Sequence, residues 1–188
     1  MLRPRLDLPC LYITEVTNRR LAVFQRDYTK DLVCLALSEA RLSGGFALLA
    51  YVLMPDHLHL LTDAVIPPSE ILRRTKGVTA RRVIDFLKDH NFTRSLEKLR
   101  HREGPRDYRY SLWEHHSNAK PVLGESVLLQ KVRYIHQNPV RAGLVARPED
   151  YRWPSARCWK GCPAPEEPLL MDLDRLGIHP ARPSLAEN

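Results

Sequence analysis

The sequence runs to 188 residues, which is room for one compact domain and an appendage but not for two full domains. With 44% hydrophobic and 27% charged residues, its composition is that of an ordinary globular protein and excludes wholesale disorder, a collagen-like repeat and a disulfide scaffold. The formal charge of +7 is localised: residues 1–68 hold 7 basic and 7 acidic side chains, 69–110 hold 12 and 6, and 111–188 hold 10 and 9. A basic stretch of this kind either meets phosphate or forms a solvated face.

Cys10, Cys34, Cys158 and Cys162 fit no disulfide framework or zinc-finger spacing and are read as reduced thiols. The N-terminal MLRPRLDLPC lacks the apolar core of a signal peptide. The longest apolar run, residues 46–54, is far short of the roughly 20 residues that span a bilayer, so a cytoplasmic protein without a membrane partner is expected.

In chain order, residues 11–17 (LYITEVT) alternate and are β-branched, predicting a strand, with Asn18-Arg19-Arg20 as a polar turn. Residues 28–41 carry Leu32, Leu35, Ala36 and then Leu42 at helical spacing, and Ser43-Gly44-Gly45 ends that helix. FALLAYVLM (46–54) is a continuous apolar run suited to a strand buried on both faces. Met54-Pro55-Asp56 interrupts it, and HLHLLTD (57–63) resumes as a second extended segment.

Pro67-Pro68-Ser69 opens a long helix, with Ser69 as N-cap and Ile71, Leu72, Val78, Val83, Phe86 and Leu87 as its apolar stripe; the other face is mostly basic. Residues 90–110 read as charged and irregular, 110–113 as a short strand, and 125–137 as a helix that Asn138-Pro139 stops. The domain is drawn at 1–160. Residues 161–188 form a Pro-rich, loosely ordered tail, since from 163 onward there are five prolines and five acidic residues against two basic. This order of elements is that of an α+β domain with helices packed on a mainly antiparallel sheet.

His57 and His59 stand two apart on a predicted strand, so both rings project to one face about 6.5 to 7 Å apart, near enough to converge on one divalent ion, while Leu58 faces the core. The same pattern also describes two hydrogen-bonded histidines without an ion. Tyr134 and Asn138, four apart near the end of the last firm helix, share a face with Gln130 one turn before. A phenol, with a free pKa of about 10, attacks phosphate only beside a metal-polarised electrophile; otherwise such a tyrosine is a core-rim residue.

The runs YVLMPDHLHLL (51–61), YIHQNPVRAGLV (134–145) and DYRWPSA (150–156) together resemble the REP-associated tyrosine transposases, of the single-strand tyrosine transposase branch of the HUH nuclease superfamily. The resemblance covers roughly residues 11–156 and implies a ferredoxin-like fold whose central strands carry the histidine pair. It implies that His57 and His59 hold Mg²⁺ or Mn²⁺, that Asn138 is the third ligand, with Gln130 or Gln137 as alternatives, and that Tyr134 is the nucleophile. His115, His116 and His136 are nearby imidazoles read as structural or DNA-contacting.

The implied activity is cutting and rejoining of single-stranded DNA at palindromic, REP-like hairpins through a 5′-phosphotyrosine link, by a monomer or a homodimer. Arg73, Arg74, Lys76, Arg81 and Arg82 form the expected phosphate platform, extended by Asn18, Arg19 and Arg20. Two further readings are a catalytically silent hairpin DNA- or RNA-binding relative and a metal-dependent hydrolase that uses water in place of Tyr134. The stretch EHHSNAKPVLGESV (114–127) is less like the family than its flanks, and the acidic tail is a candidate for occupying a basic groove.

Overall fold

The computed structural model describes residues 9–102, 108–116 and 118–178. Strand β1 (Cys10–Val16) leads through helix α1 (Asp27–Gly44) to the hairpin of β2 (Leu48–Leu53) and β3 (His57–Asp63). Helix α2 (Pro68–Asp89), helix α3 (Thr93–Leu99) and a ribbon of β4 (Arg100–Arg102) and β5 (Tyr108–Tyr110) come next. Strand β6 (Asn118–Val122), helix α4 (Glu125–Arg141) and the short α5 (Ala156–Trp159) complete the order. The main sheet is antiparallel, four-stranded and ordered β2-β3-β1-β6. With α1 and α2 as crossovers this is the β-α-β-β-α-β arrangement of the ferredoxin-like fold, as expected, with α3 and the ribbon inserted before the last strand.

Side-chain alternation splits the sheet into two faces. Register pairs Glu15 with Leu58 and Thr14 with His59. Glu15 and Leu58 point toward α1 and α2, where Thr75 of α2 donates to Glu15 at 2.8 Å. Tyr12, Thr14, His57 and His59 point the other way, toward α4. Every residue of β2 is buried, as its apolar run predicts.

Four local expectations change. Helix α2 begins at Pro68 with Pro67 in the cap position, so Ser69 lies within the first turn; proline is favoured there because its missing N–H has no helical partner to lose. The fourth strand of the sheet is 118–122, whereas Trp113 makes a single bridge to Thr17. The polar NAKPV does not read as a strand, yet β6 is an edge, where Pro121 is tolerated. Residues 93–102 and 108–110 are regular, as α3 and the ribbon.

Helix α4, finally, runs through Pro139 to Arg141. Proline removes the donor that the Ile135 carbonyl needs. The Asn138 side chain leans back over this gap, its Nδ2 donating to the carbonyl of Tyr134 at 2.8 Å and reaching that of Ile135 at 3.5 Å.

The tail is irregular apart from one 3-10 turn at Leu173–Leu176, but through Ile178 it is packed rather than loose. Leu169, Leu173, Leu176 and Ile178 are buried. Asp172 accepts from the Leu48 N–H and returns its own N–H to the Leu48 carbonyl, while Leu53 donates to the Trp153 carbonyl and Tyr51 to Ser155 Oγ. These segments cover the open edge of β2. Glu166, Glu167, Asp172 and Asp174 therefore lie in a segment docked at that edge, and residues 179–188 lie outside the described residues. Among the described residues no helix is long and apolar enough to cross a membrane.

Candidate active site

The register of β1 on β3 brings four polar side chains onto the α4 face of the sheet. His59 is buried, and its Nδ1 lies 2.9 Å from both Tyr12 Oη and Thr14 Oγ1 on the neighbouring strand. Tyr12 also stacks on the His59 ring at 5.6 Å between centroids. Burial, then the charges of His57 and Lys131, push the His59 pKa down to about 3, so the ring is neutral at neutral pH. A proton on Nδ1, shared with the two hydroxyls, leaves the Nε2 lone pair for a ligand.

His57 is oriented from the other side. Its Nδ1 lies 2.6 Å from Asp56 Oδ1, and Asp56 Oδ2 accepts from Arg20 at 3.2 Å. Partial burial acts to raise the Asp56 pKa, but the bonds from His57 and Arg20 outweigh it and hold the carboxyl below its usual range. An ionised Asp56 fixes the proton on His57 Nδ1 and turns Nε2 into the ligating atom. The two imidazole centroids are 4.9 Å apart. Asp56, Tyr12 and Thr14 are not found by reading the sequence; a carboxylate immediately before His57 is the one signal available for them.

Tyr134 reaches this pair from α4. The apolar residues Leu128, Val132 and Ile135 are buried against the sheet, which leaves Tyr134 at the helix flank, 40% exposed. Its ring centroid is 5.5 Å from that of His59 and 6.3 Å from that of Tyr12, both edge-to-face, and the Arg141 guanidinium sits 5.0 Å over it. Tyr134 opens into a cleft of about 460 Å³ lined by Arg133, Arg141, Gln130 and Gln137. Asn138 spends its amide nitrogen on its own helix, so its oxygen is the atom left for a cation.

The remaining imidazoles are used elsewhere. His136 Nε2 is bonded to Ser155 Oγ at 2.9 Å, and burial, then Lys160, pushes its pKa down to about 4. His115 and His116 are exposed and stack edge-on against each other beside Lys76 of α2.

Among the described residues no group of three or more His, Cys, Asp and Glu is placed to hold an ion. The donors on offer are two imidazoles from one strand, each with its Nδ1 occupied by an orienting partner, and the amide oxygen of Asn138 on α4. That chemistry fits Mg²⁺ or Mn²⁺ once water and phosphate oxygens complete the shell, with nitrogen favouring manganese.

The predicted phosphate platform lies across the sheet from this cluster. Thr75 of α2 contacts Glu15, which points away from His59. Arg73 and Arg74 both bind Glu70, Arg74 also donates to the Ser43 carbonyl, Arg82 binds Glu39, and Lys76 donates to the Glu114 carbonyl. Arg81 is exposed. In the Asn18-Arg19-Arg20 turn, Arg19 and Arg20 take left-handed φ of 56° and 52°, and Arg20 serves Asp56 while Arg19 faces solvent.

The fold is similar to that of a REP-associated tyrosine transposase solved bound to a REP hairpin, with TM-score 0.57 and 16% identity over 84% of this chain and 81% of that one. It is also similar to a candidate transposase from Deinococcus radiodurans R1, with TM-score 0.46 and 22% identity over 73% of this chain and 95% of that one. No curated protein matches the sequence. At 16% identity the first of these likenesses speaks for the fold alone. Residues 11–138, a stretch containing His57, His59, Tyr134 and Asn138, match the family described as transposase IS200 like, and the chain belongs to that family.

Proposed function

We propose that this chain is a tyrosine transposase of the REP-associated kind, a metal-dependent enzyme that nicks single-stranded DNA at palindromic hairpins and rejoins strands through a 5′-phosphotyrosine on Tyr134. The observation that carries this reading is the convergence of Tyr134, from α4, on the β3 histidine pair, with successive ring centroids 5.5 and 4.9 Å apart. His57, His59 and the Asn138 oxygen would hold the divalent ion, which would supply Lewis acidity at the scissile phosphate.

The protein groups do the rest. Tyr134 Oη attacks phosphorus in line and releases its proton to solvent, which its exposure admits; the strand leaves with a free 3′-hydroxyl. Because the phosphodiester is exchanged for a phosphotyrosine ester, reversal by another 3′-hydroxyl rejoins DNA without ATP. Arg133 and Arg141 flank the cleft and favour phosphate there. Asn18, Arg19 and the cations Arg73, Arg74, Lys76, Arg81 and Arg82 are assigned to the hairpin stem, away from the cut phosphate. All three central side chains come from one chain, so a monomer suffices to build the site.

The test is incubation with Mn²⁺ and end-labelled single-stranded hairpin oligonucleotides, followed by denaturing electrophoresis. Label should migrate with the protein, and Tyr134→Phe should lose that band while still binding the hairpin. Cutting without a protein-linked band indicates attack by water. Binding with no cutting indicates a silent hairpin binder.

A further inference from the structure

The flank of α4 that holds Tyr134 also holds Lys131. Lys131 lies three residues before Tyr134 and Asn138 four after it, about 4.5 and 6 Å away along the helix axis. The half-buried Lys131 ammonium stands 4.8 Å from the centroid of the Tyr12 ring. That ring in turn stacks on His59 and meets Tyr134 edge-on. Along α4, Tyr134 is therefore bracketed by a cation on one side and the candidate amide ligand on the other.

The charges around the cluster do not cancel at this point. Arg20 is taken by Asp56 at 3.2 Å, and Arg141 covers the Tyr134 ring. Lys131 rests on an aromatic face and, among the described residues, forms no ion pair. Its charge is felt at His59. By the same Coulombic argument it repels a metal ion at the histidine pair. A cation beside a cation-binding pair weakens that pair unless both act on one anion held between them, and a phosphodiester is such an anion.

We infer that Lys131 is a catalytic residue: its ammonium holds a non-bridging oxygen of the scissile phosphate and stabilises the charge gathered there as Tyr134 Oη attacks. The inference rests on the function proposed above. The Oη–P bond forms and the bond from phosphorus to the 3′-oxygen breaks. The phenol proton goes to solvent, the leaving oxygen takes one from solvent, and Lys131 keeps its own throughout. A lysine serves phosphate as a point charge on a flexible stem, so the ammonium can leave the Tyr12 face for the substrate oxygen.

The experiment follows formation of the protein-linked band in a single turnover, with the full chain, Mn²⁺ and saturating hairpin DNA that carries single-stranded flanks. Lys131→Met, which keeps the length without the charge, should slow the band about 100-fold. Lys131→Arg, which restores the charge, should stay within about tenfold of wild type. Mn²⁺ affinity without DNA, measured by titration calorimetry, should not fall in Lys131→Met, because a repulsive charge has gone. If Lys131 only packs Tyr12 against His59, Lys131→Met should lose rate and Mn²⁺ affinity together, and that result overturns the inference.

The phosphate contact is also read without cutting. With Tyr134→Phe in Mn²⁺, hairpin binding is titrated by fluorescence anisotropy at several salt concentrations. Adding Lys131→Met should reduce the slope of log affinity against log salt by about one, and Lys131→Arg should leave it intact. An unchanged slope overturns the contact. A wild-type band that Lys131→Met slows by less than about threefold sinks the role of Lys131 alone. The change in slope without any wild-type band sinks the nicking reading and leaves Lys131 as a phosphate-binding residue.

Discussion

Asp56 holds His57 by one carboxylate oxygen, at 2.6 Å, and Arg20 by the other, at 3.2 Å. The histidine therefore keeps Nε2 free for a ligand in a fixed tautomer, and the ring cannot turn without giving up its contact to Asp56 Oδ1. Asp56→Ala should weaken Mn²⁺ binding, measured by titration calorimetry without DNA, by about 10- to 100-fold, with Arg20→Ala giving a smaller loss. Equal Mn²⁺ affinity in wild type and Asp56→Ala would remove Asp56 from the site.

Two tyrosines lie beside His59, and the structure separates them. Tyr12 is 7% exposed with its hydroxyl on His59 Nδ1, and burial, against a hydrogen bond with Thr14, pushes its pKa up to about 12. Tyr134 is 40% exposed and opens on the cleft. The DNA adduct should map by mass spectrometry to the peptide containing Tyr134. Tyr12→Phe should still form it while binding Mn²⁺ more weakly, because His59 keeps only Thr14. An adduct on the Tyr12 peptide reverses the assignment.

Much of this site is legible in the sequence because periodicity carries it. Alternation in 57–63 places both histidines on one face, and the spacing of Leu128, Val132 and Ile135 leaves Tyr134 at the helix flank. What is not legible depends on partners distant in the chain. Tyr12 and Thr14 join the site only through the register of β1 on β3. The charges of α2 are evident, but not that Glu70 and Glu39 take three of its arginines. Pro139 reads as a stop for a different, local reason: the Asn138 side chain just before it bonds back to the Tyr134 and Ile135 carbonyls of the same helix. The tail reads as loose because its apolar residues have no period, although each finds the covered edge of β2.

Glu15 predicts an alkaline weakness. It is 1% exposed, with Oε1 accepting from Thr75 and Oε2 buried without a hydrogen-bond partner. Burial raises its pKa from 4.5 to about 7, opposed by Thr75 and Lys76. The fold thus favours the protonated form, so this contribution is fully present below pH 4.5 and is lost as pH rises through about 7. The total is on the order of 3 kcal/mol. Glu15→Gln, which cannot ionise, should match wild type in thermal melts at pH 5 and exceed it at pH 8. Parallel melting curves across that range would falsify the assignment.

Arg157 and Glu167 tie the tail to the domain. The guanidinium makes a forked contact to Glu167 at 2.9 and 2.7 Å and also donates to the carbonyls of Glu149, Tyr151 and Arg152, while the Glu167 side chain is 1% exposed. Removing one member of a buried pair strands the other's charge, at roughly 3 to 5 kcal/mol. Arg157→Ala should be the worse of the two single changes, since it leaves Glu167 without its cation and three carbonyls without their donor. Arg157→Lys should rescue little, because an ammonium cannot reproduce the fork. Truncation after Cys162 removes Glu167 together with buried Leu169, Leu173, Leu176 and Ile178, so it should melt well below Glu167→Ala. A truncated chain that melts with the full one would mean that β2 does not need its covered edge.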